Sequence, residues 1–267
     1  MPESWGSGGD YEPYVGRWSR LVAVEFLDWL SIAPKKRWLD VGCGTGALSP
    51  AILSHCNPAA VTGVDPSPAY IAWAASHLQD DLVRFETGDA TLLPKSIVDV
   101  VVSGLVLNFV LNTSLALTAM CQAAPHGLVA AYVWDYAGRM ELMRHFWDAV
   151  IALDPSAADL DEGSRFQICS SQSLSALWQD VGLTEISTRA IEVPTVFPNF
   201  DDYWNPFLGG QGPAPTYAHS LDVEHRRALR DEIRAGLPIS ADGSIHLIAR
   251  AWAVQGRSTE SALPPFI

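Results

Sequence analysis

From Arg37 to Trp134 short apolar runs alternate with stretches of helical periodicity, and few folds accept that rhythm. RWLDV (37–41), VTGV (61–64), LVRFE (82–86), VDVVVS (98–103) and GLVAAYVW (127–134) read as strands. Gly46–Cys56, Pro68–Leu78 and Thr113–Ala123 read as the helices between them. The runs are apolar almost throughout instead of alternating with polar residues, which marks strands buried on both faces. Strands of that kind joined through helices form a parallel sheet with helices on both sides, a doubly wound α/β layout. Ligands of such sheets bind beyond the carboxyl ends of the central strands.

The flanking segments follow a different pattern. Leu21, Val24, Leu27 and Leu30 space an opening helix over 19–31, closed by Pro34. After Trp134 come a helix over 139–152, an acidic stretch over 154–163, a helix over 173–183 and a strand over 184–193. An aromatic, Gly/Pro-rich segment (197–217), a charged helix (222–235) and a last strand (245–254) follow. The expected organisation is a flexible N-terminal flap over 1–20 and one domain over 21–267. Insertions near 136–171 and 195–240 are expected to fold together as a helical cap. Gly209-Gly210-Gln211-Gly212 is a lid hinge or a plain loop.

Composition narrows the partners. The 267 residues hold 17 Lys and Arg against 30 Asp and Glu, a net charge of −13. A protein tracking phosphates needs a basic face, so nucleic acid is not an expected partner. The four cysteines, Cys43, Cys56, Cys121 and Cys169, form no C-x-x-C pair, and no histidines cluster at zinc spacing, so no metal is expected. Reduced thiols, no signal-peptide pattern and no long apolar run point to a cytoplasmic protein without a membrane span.

The sharpest local signal is LDVGCGTGALS (39–49), at the turn from first strand to helix. Gly42-x-Gly44-x-x-Ala47 satisfies a dinucleotide fingerprint, whose helix start holds a pyrophosphate. Gly42-x-Gly44-x-Gly46 preceded by an acid instead suits the methionine part of S-adenosylmethionine. Asp40 is unfavourable beside a pyrophosphate and favourable beside an ammonium. Asp65, ending the second strand in GVDPS (63–67), can accept from ribose hydroxyls in either case. GDATLLP (88–94) puts Asp89 and Ala90 where an adenine edge can be read, although Asp89 can equally cap a turn.

LDVGCGTGALS, GVDPS, GDATLLP and VDVVVSGLVLNFV (98–110) together resemble the successive motifs of class I S-adenosylmethionine-dependent methyltransferases. The likeness is to the small-molecule branch akin to ubiquinone and menaquinone biosynthesis enzymes. It is strong over about 11–135, and the order of elements fits onward to 254. The resemblance implies a seven-stranded Rossmann-like sheet whose last strand is antiparallel. It also implies S-adenosylmethionine as cofactor, S-adenosylhomocysteine as product and methyl transfer by in-line displacement. On that footing Gly42, Cys43, Gly44 and Gly46 form the cofactor loop, with Asp40 beside its amino group. Asp65 meets the ribose, Pro66 lines the adenine, and Asp89 with Ala90 reads it. Ser103, Gly104 and Leu105 give main-chain contacts to the methionine moiety. Tyr14 and Arg17 lie where an N-terminal segment often closes over the cofactor. An NAD(P)-dependent oxidoreductase and a catalytically silent cofactor-binding regulatory protein are the alternatives.

A sulfonium-activated methyl demands mainly alignment and exclusion of water, so the acceptor leaves little trace in residue identity. Many relatives carry His where this chain has Asn108, and an amide cannot take a proton at neutral pH. Asp135 can deprotonate a hydroxyl or cap the following helix. His145 lies four residues after Glu141, the spacing of a surface pair. These three are the catalytic candidates. Met140, Met143, Phe146, Trp147 and Val150 form an apolar stripe, either core or acceptor pocket. Phe200, Tyr203, Trp204 and Phe207 pose the same choice. Such aromatics suggest a flat or hydrophobic small-molecule acceptor, with oxygen or carbon favoured over nitrogen as the methylated atom.

Overall fold

A computed structural model describes residues 12–93, 98–209 and 212–259. Seven strands form one sheet of order β3-β2-β1-β4-β5-β7-β6. β1 (Arg37–Val41), β2 (Ala60–Asp65), β3 (Val83–Thr87), β4 (Val100–Gly104) and β5 (Leu128–Trp134) pair in parallel throughout. β6 (Thr184–Phe197) and β7 (Ile245–Arg257) complete a mixed sheet whose last strand is antiparallel. The chain runs outward from β1 to β3, then restarts on the other side of β1 at β4. That reversal is the switch point where strand ends part and leave a crevice. Asp40 lies on it, paired with Gly63 of β2 on one side and Val102 of β4 on the other.

The burial of the strands explains their sequences. All seven residues of β5 are buried, as are the last four of β1, because helices cover both faces. β3, at the sheet's edge, has no fully buried residue and reads accordingly more polar, as VRFET. The helices are α1 (Arg17–Leu30), α2 (Leu48–Cys56), α3 (Pro68–His77), α4 (Thr113–Ala123), α5 (Glu141–Leu153), α6 (Ser171–Asp180), α7 (Pro213–Ser220) and α8 (Val223–Gly236), besides single-turn pieces. Ser67 caps α3 through the amide of Tyr70, with Pro68 in the first turn, and Asn112 caps α4 through the amide of Leu115.

Three local expectations need correction. The buried face of α1 is Val22, Ala23, Phe26, Leu27 and Leu30, while Leu21 is 43% exposed. Adjacent positions share that face because the helix is packed over a broad stripe. α2 starts at Leu48, not Gly46, because Gly46 holds a φ of +91° that no α-helix contains. β6 runs on to Phe197, with Ile191, Val193, Thr195 and Phe197 turned inward at every second position.

The chain divides into two compact units. One takes the residues up to Trp18, Trp134–Gln167 and Glu192–Arg250; the other takes Ser19–Val133, Ile168–Ile191 and the chain from Ala251. In the first, the stripe Met140, Met143, Phe146, Trp147 and Val150 is core, none of it more than 3% exposed. Phe146 stacks on Phe207 at 4.5 Å, and the Tyr203 hydroxyl donates to the carbonyl of Leu142 at 2.8 Å. The indole of Trp147 donates to Glu162, and Arg144 clasps Asp161 at 2.8 Å. In the second unit, Phe26 packs 4.7 Å from Tyr132, and the indole of Trp178 donates to the carbonyl of Val129 at 3.2 Å.

Candidate functional site

β1 ends at Val41, and the chain turns through Gly42-Cys43-Gly44-Thr45-Gly46 before α2 begins. All three glycines are left-handed, at φ of +73°, +54° and +91°. The amides of Gly42 and Cys43 donate to the carbonyl of Val64, at 2.7 and 3.1 Å, which straps the loop to β2. A Cβ on Gly42 would lie 2.5 Å from Val106, so that glycine makes room for protein. A Cβ on Gly44 would meet nothing within 4 Å, so that one faces open space.

Two buried carboxylates flank the loop. Asp40 is 1% exposed, and its Oδ2 accepts from the Ser49 hydroxyl at 2.7 Å. Burial lifts its pKa to about 7; the negative charge of Asp65 adds to that, while Ser49 opposes it. Asp65 is 7% exposed; Oδ2 accepts from the amide of Gly44 at 3.0 Å and Oδ1 from the amide of Ser67 at 2.9 Å. Burial raises its pKa too, against the two amides. Cys43, 5% exposed, is packed near both acids, and burial drives its thiol far above the ordinary range.

A hydrogen bond therefore joins Gly44 to Asp65, while Gly42 is tied to Val64 of β2 and Asp40 to Ser49 at the start of α2. The other expected cofactor residues sit at the ends of the same strands. Ser103, fully buried, donates to the carbonyl of Val41 at 2.9 Å. A Cβ on Gly104 would press on the Tyr132 hydroxyl. Leu105 adopts a φ of +62°, and its amide is held by the carbonyl of Tyr132 at 2.8 Å. Pro66 is exposed and Ala90 half-buried. Asp89 is exposed, and its Oδ1 accepts from the amide and hydroxyl of Thr91, at 2.7 and 2.6 Å; these bonds lower its pKa. It thus caps its own turn. That set fits a nucleoside carrying an amino acid: an ammonium beside Asp40 would favour its ionised form, Asp65 retains lone pairs for hydroxyls, and open space lies over Gly44.

Tyr14 and Arg17 belong to the first unit and have partners there. The ring of Tyr14 is 3% exposed, and its hydroxyl donates to the sulfur of Met143 at 2.9 Å. Arg17 pairs with Asp202 at 3.0 Å and lies between the rings of Trp18 and Phe197, at 4.5 and 4.9 Å.

The three catalytic candidates differ in their surroundings. Asn108 stands in the helical turn Leu107–Phe109 after β4, and both polar atoms of its amide are shielded from solvent without a partner among the described residues. Asp135 is 5% exposed; its Oδ2 accepts from the amide of Arg139 at 2.9 Å and from Nε of Arg250 at 2.7 Å. His145 is half-buried on α5, and burial lowers its pKa. The charges of Glu141 and Asp148 oppose that shift, and the Glu141 carboxylate also accepts from the amide of Ile248 at 2.7 Å and meets Arg139 at 3.4 Å.

Three partners escaped the sequence reading: Ser49 for Asp40, Thr91 for Asp89 and Arg250 for Asp135. Thr91 is two residues from Asp89 and fits a common turn pattern, whereas Ser49 lies nine positions from Asp40 and fits no local capping pattern. Arg250 is 115 positions from Asp135 and left no local signal. Among the described residues no cluster of three His, Cys, Asp or Glu side chains can hold a metal ion.

Residues 39–131 match the family described as a methyltransferase domain. An uncharacterized methyltransferase of Schizosaccharomyces pombe is 22% identical over 203 residues, covering 73% of this chain and 77% of that protein. The malonyl-[acyl-carrier protein] O-methyltransferase of Acetivibrio thermocellus is 33% identical over 78 residues, 28% of this chain and 27% of that enzyme. Among solved structures, the phosphoethanolamine N-methyltransferase 2 of Haemonchus contortus with bound S-adenosyl-L-methionine superposes with a TM-score of 0.56 at 15% identity. That match covers 94% of this chain and 57% of that one.

Proposed function

We propose that this chain is a class I S-adenosylmethionine-dependent methyltransferase and that it methylates a small organic acceptor at an oxygen or carbon already nucleophilic at neutral pH. Bound S-adenosylmethionine supplies a methyl group activated by the adjacent positive sulfur and leaves as S-adenosylhomocysteine. The protein's part is to bind, align and keep water out. Asp40 receives the cofactor's ammonium, and Asp65 holds the ribose hydroxyls. Asp89 and Ala90 stand at the adenine edge, with Pro66 along its face. The backbone of Ser103, Gly104 and Leu105 lines the methionine end.

The observation that carries the acceptor class is the engagement of Asp135 by Arg250 and by the amide of Arg139. With Oδ2 bonded to that guanidinium and that amide, Asp135 is held as an anchor between two segments of the chain. Asn108 can orient an acceptor with its unpaired amide but cannot take a proton. Without a base at either position the favoured nucleophile is one that ionises unaided, such as a carboxylic acid, an acidic phenol or a stabilised enol. An alkylamine, protonated at neutral pH, must lose a proton first. The relative acting on malonyl-[acyl-carrier protein] is named an O-methyltransferase, which agrees. The N-methyltransferase likeness, at 15% identity, speaks to the fold alone. A buried carboxylate at Asp40 also disfavours the pyrophosphate of a dinucleotide. The net charge of −13 supports a small molecule over nucleic acid, and no helix among the described residues is long and apolar enough to cross a membrane.

The test is methyl-labelled S-adenosylmethionine offered with matched carboxylic acids, acidic phenols and primary amines at pH 7. Label is expected in the acids or phenols, at a rate that varies little between pH 6 and 8. Label confined to the amines overturns the acceptor class.

A further inference from the structure

Within the first unit a cavity of about 350 Å³ opens where the C-terminal end of α5 meets α7 and the start of α8. Its size falls in the range of small-molecule sites. Val150 and Leu229, each 1% exposed, form its inner wall, and Leu153, 49% exposed, stands at its rim. The polar groups that line it are Asp154, Tyr217 and His225.

The charge in that cavity has one sign. Oδ1 of Asp154 accepts from the amide and hydroxyl of Ser156, at 3.1 and 2.6 Å, and these bonds lower the carboxyl's pKa. Among the described residues its Oδ2 has only the Tyr217 hydroxyl, at the long distance of 3.4 Å, and keeps capacity for a stronger donor. Asp154 also terminates α5, whose last turn holds no basic residue to offset the negative end of the helix dipole. The nearby Arg226 is turned away onto the carbonyls of Ala218, His219 and Leu221, at 2.9, 3.0 and 2.6 Å. His225 shares its Nδ1 with the Asp222 carboxylate at 2.8 Å, so that pair adds no net positive charge. The Tyr217 ring, 5.8 Å from that of Trp147, offers an aromatic surface beside the carboxylate.

We propose that this cavity is a second ligand site, selective for a small organic cation: a primary amine on a short apolar or aromatic body. The ammonium meets Oδ2 of Asp154 and the Tyr217 ring, and the body lies against Val150 and Leu229. The site stands on the first unit alone and does not depend on which acceptor is methylated.

The test is calorimetric titration of the full chain, without methyl donor, with 2-phenylethylamine, 2-phenylethanol and 3-phenylpropionate. The amine is expected to bind about tenfold or more tightly than either uncharged or anionic analogue, the preference a charge-assisted hydrogen bond confers. Asp154→Asn should erase that preference. Ala228→Trp, at an exposed position on the cavity wall, should abolish amine binding while leaving the far-UV circular dichroism spectrum unchanged. Absence of amine binding, equal affinity for the three compounds, or an affinity untouched by both substitutions overturns the proposal.

Discussion

The hydroxyl of Ser49, in the first turn of α2, donates a 2.7 Å hydrogen bond back to Oδ2 of Asp40 on β1. Among the described residues it is the one side-chain hydrogen bond to a carboxyl 1% exposed, and it ties the start of the helix to the strand across the glycine loop. Asp40 therefore stands buried and close to a second acid.

A pH dependence of stability follows from that environment. The folded chain keeps a proton on Asp40 up to about pH 7, whereas the unfolded chain releases it near 3.8. The folded state binds more protons across that window, so the group's contribution falls as pH rises from about 4 to about 7, then levels off. At about 1.4 kcal/mol per unit the upper bound is about 4 kcal/mol. Urea unfolding of the cofactor-free protein at pH 5 and pH 7.5 reads the slope, and Asp40→Asn should reduce it. Matching slopes in the two proteins would refute the assignment.

Gly42 and Gly44 should respond differently to the same substitution. Gly42→Ala places a methyl 2.5 Å from Val106 at a left-handed φ, so both folding and cofactor affinity should suffer. Gly44→Ala meets no protein atom within 4 Å and costs only backbone strain, about 1 kcal/mol. It should fold with a melting temperature a few degrees lower, yet bind S-adenosylhomocysteine at least about tenfold more weakly, because the methyl fills the space over the loop. Thermal melts paired with calorimetry separate the two effects; a Gly44→Ala protein that binds normally removes the loop from the site.

Asp65→Ala deletes the acceptors of the Gly44 and Ser67 amides and the proposed ribose contact together. Loss of charged hydrogen bonds should weaken S-adenosylhomocysteine binding about tenfold or more. Asp65→Asn keeps one carbonyl oxygen and should fall between. Calorimetry on the three folded proteins tests the order, and equal affinities would place the ribose elsewhere.

Asp135 should behave as a structural anion. Arg250→Met leaves a carboxyl only 5% exposed without its guanidinium, and should destabilise by about 3–5 kcal/mol. Asp135→Asn leaves a partly exposed Arg250 that still pairs with Glu192 at 3.6 Å, and should cost less. In methyl transfer Asp135→Asn should retain kcat within about threefold, since a true general base contributes about a hundredfold or more. A hundredfold fall in kcat in a stably folded Asp135→Asn protein would restore the base role.

The central sheet was legible because its information is local. Val100, Val101 and Val102 are apolar in succession since β4 is buried on both faces, and a run of that kind reads the same in sequence and in structure. The glycine loop was legible for a related reason: a left-handed backbone at Gly42, Gly44 and Gly46 admits few residues other than glycine. Less was visible where two periodicities compete. Leu21 belongs to an apolar spacing in α1 and is nonetheless 43% exposed, because which stripe of a helix turns inward depends on what it packs against.

The sequence by itself determined the parallel core, the placing of Asp40 and Asp65 at successive strand ends, and the likeness to methyltransferase domains. Each rests on burial pattern or backbone conformation, which neighbouring residues encode. Tertiary structure alone decided the chemistry of the side chains. It set Asp135 against Arg250, Arg17 against Asp202 and Glu141 against the amide of Ile248, and it left the amide of Asn108 without a partner among the described residues. Whether a carboxylate is a base, a cap or half of an ion pair depends on charges brought within about 3 Å by folding, and distance along the chain carries no record of them.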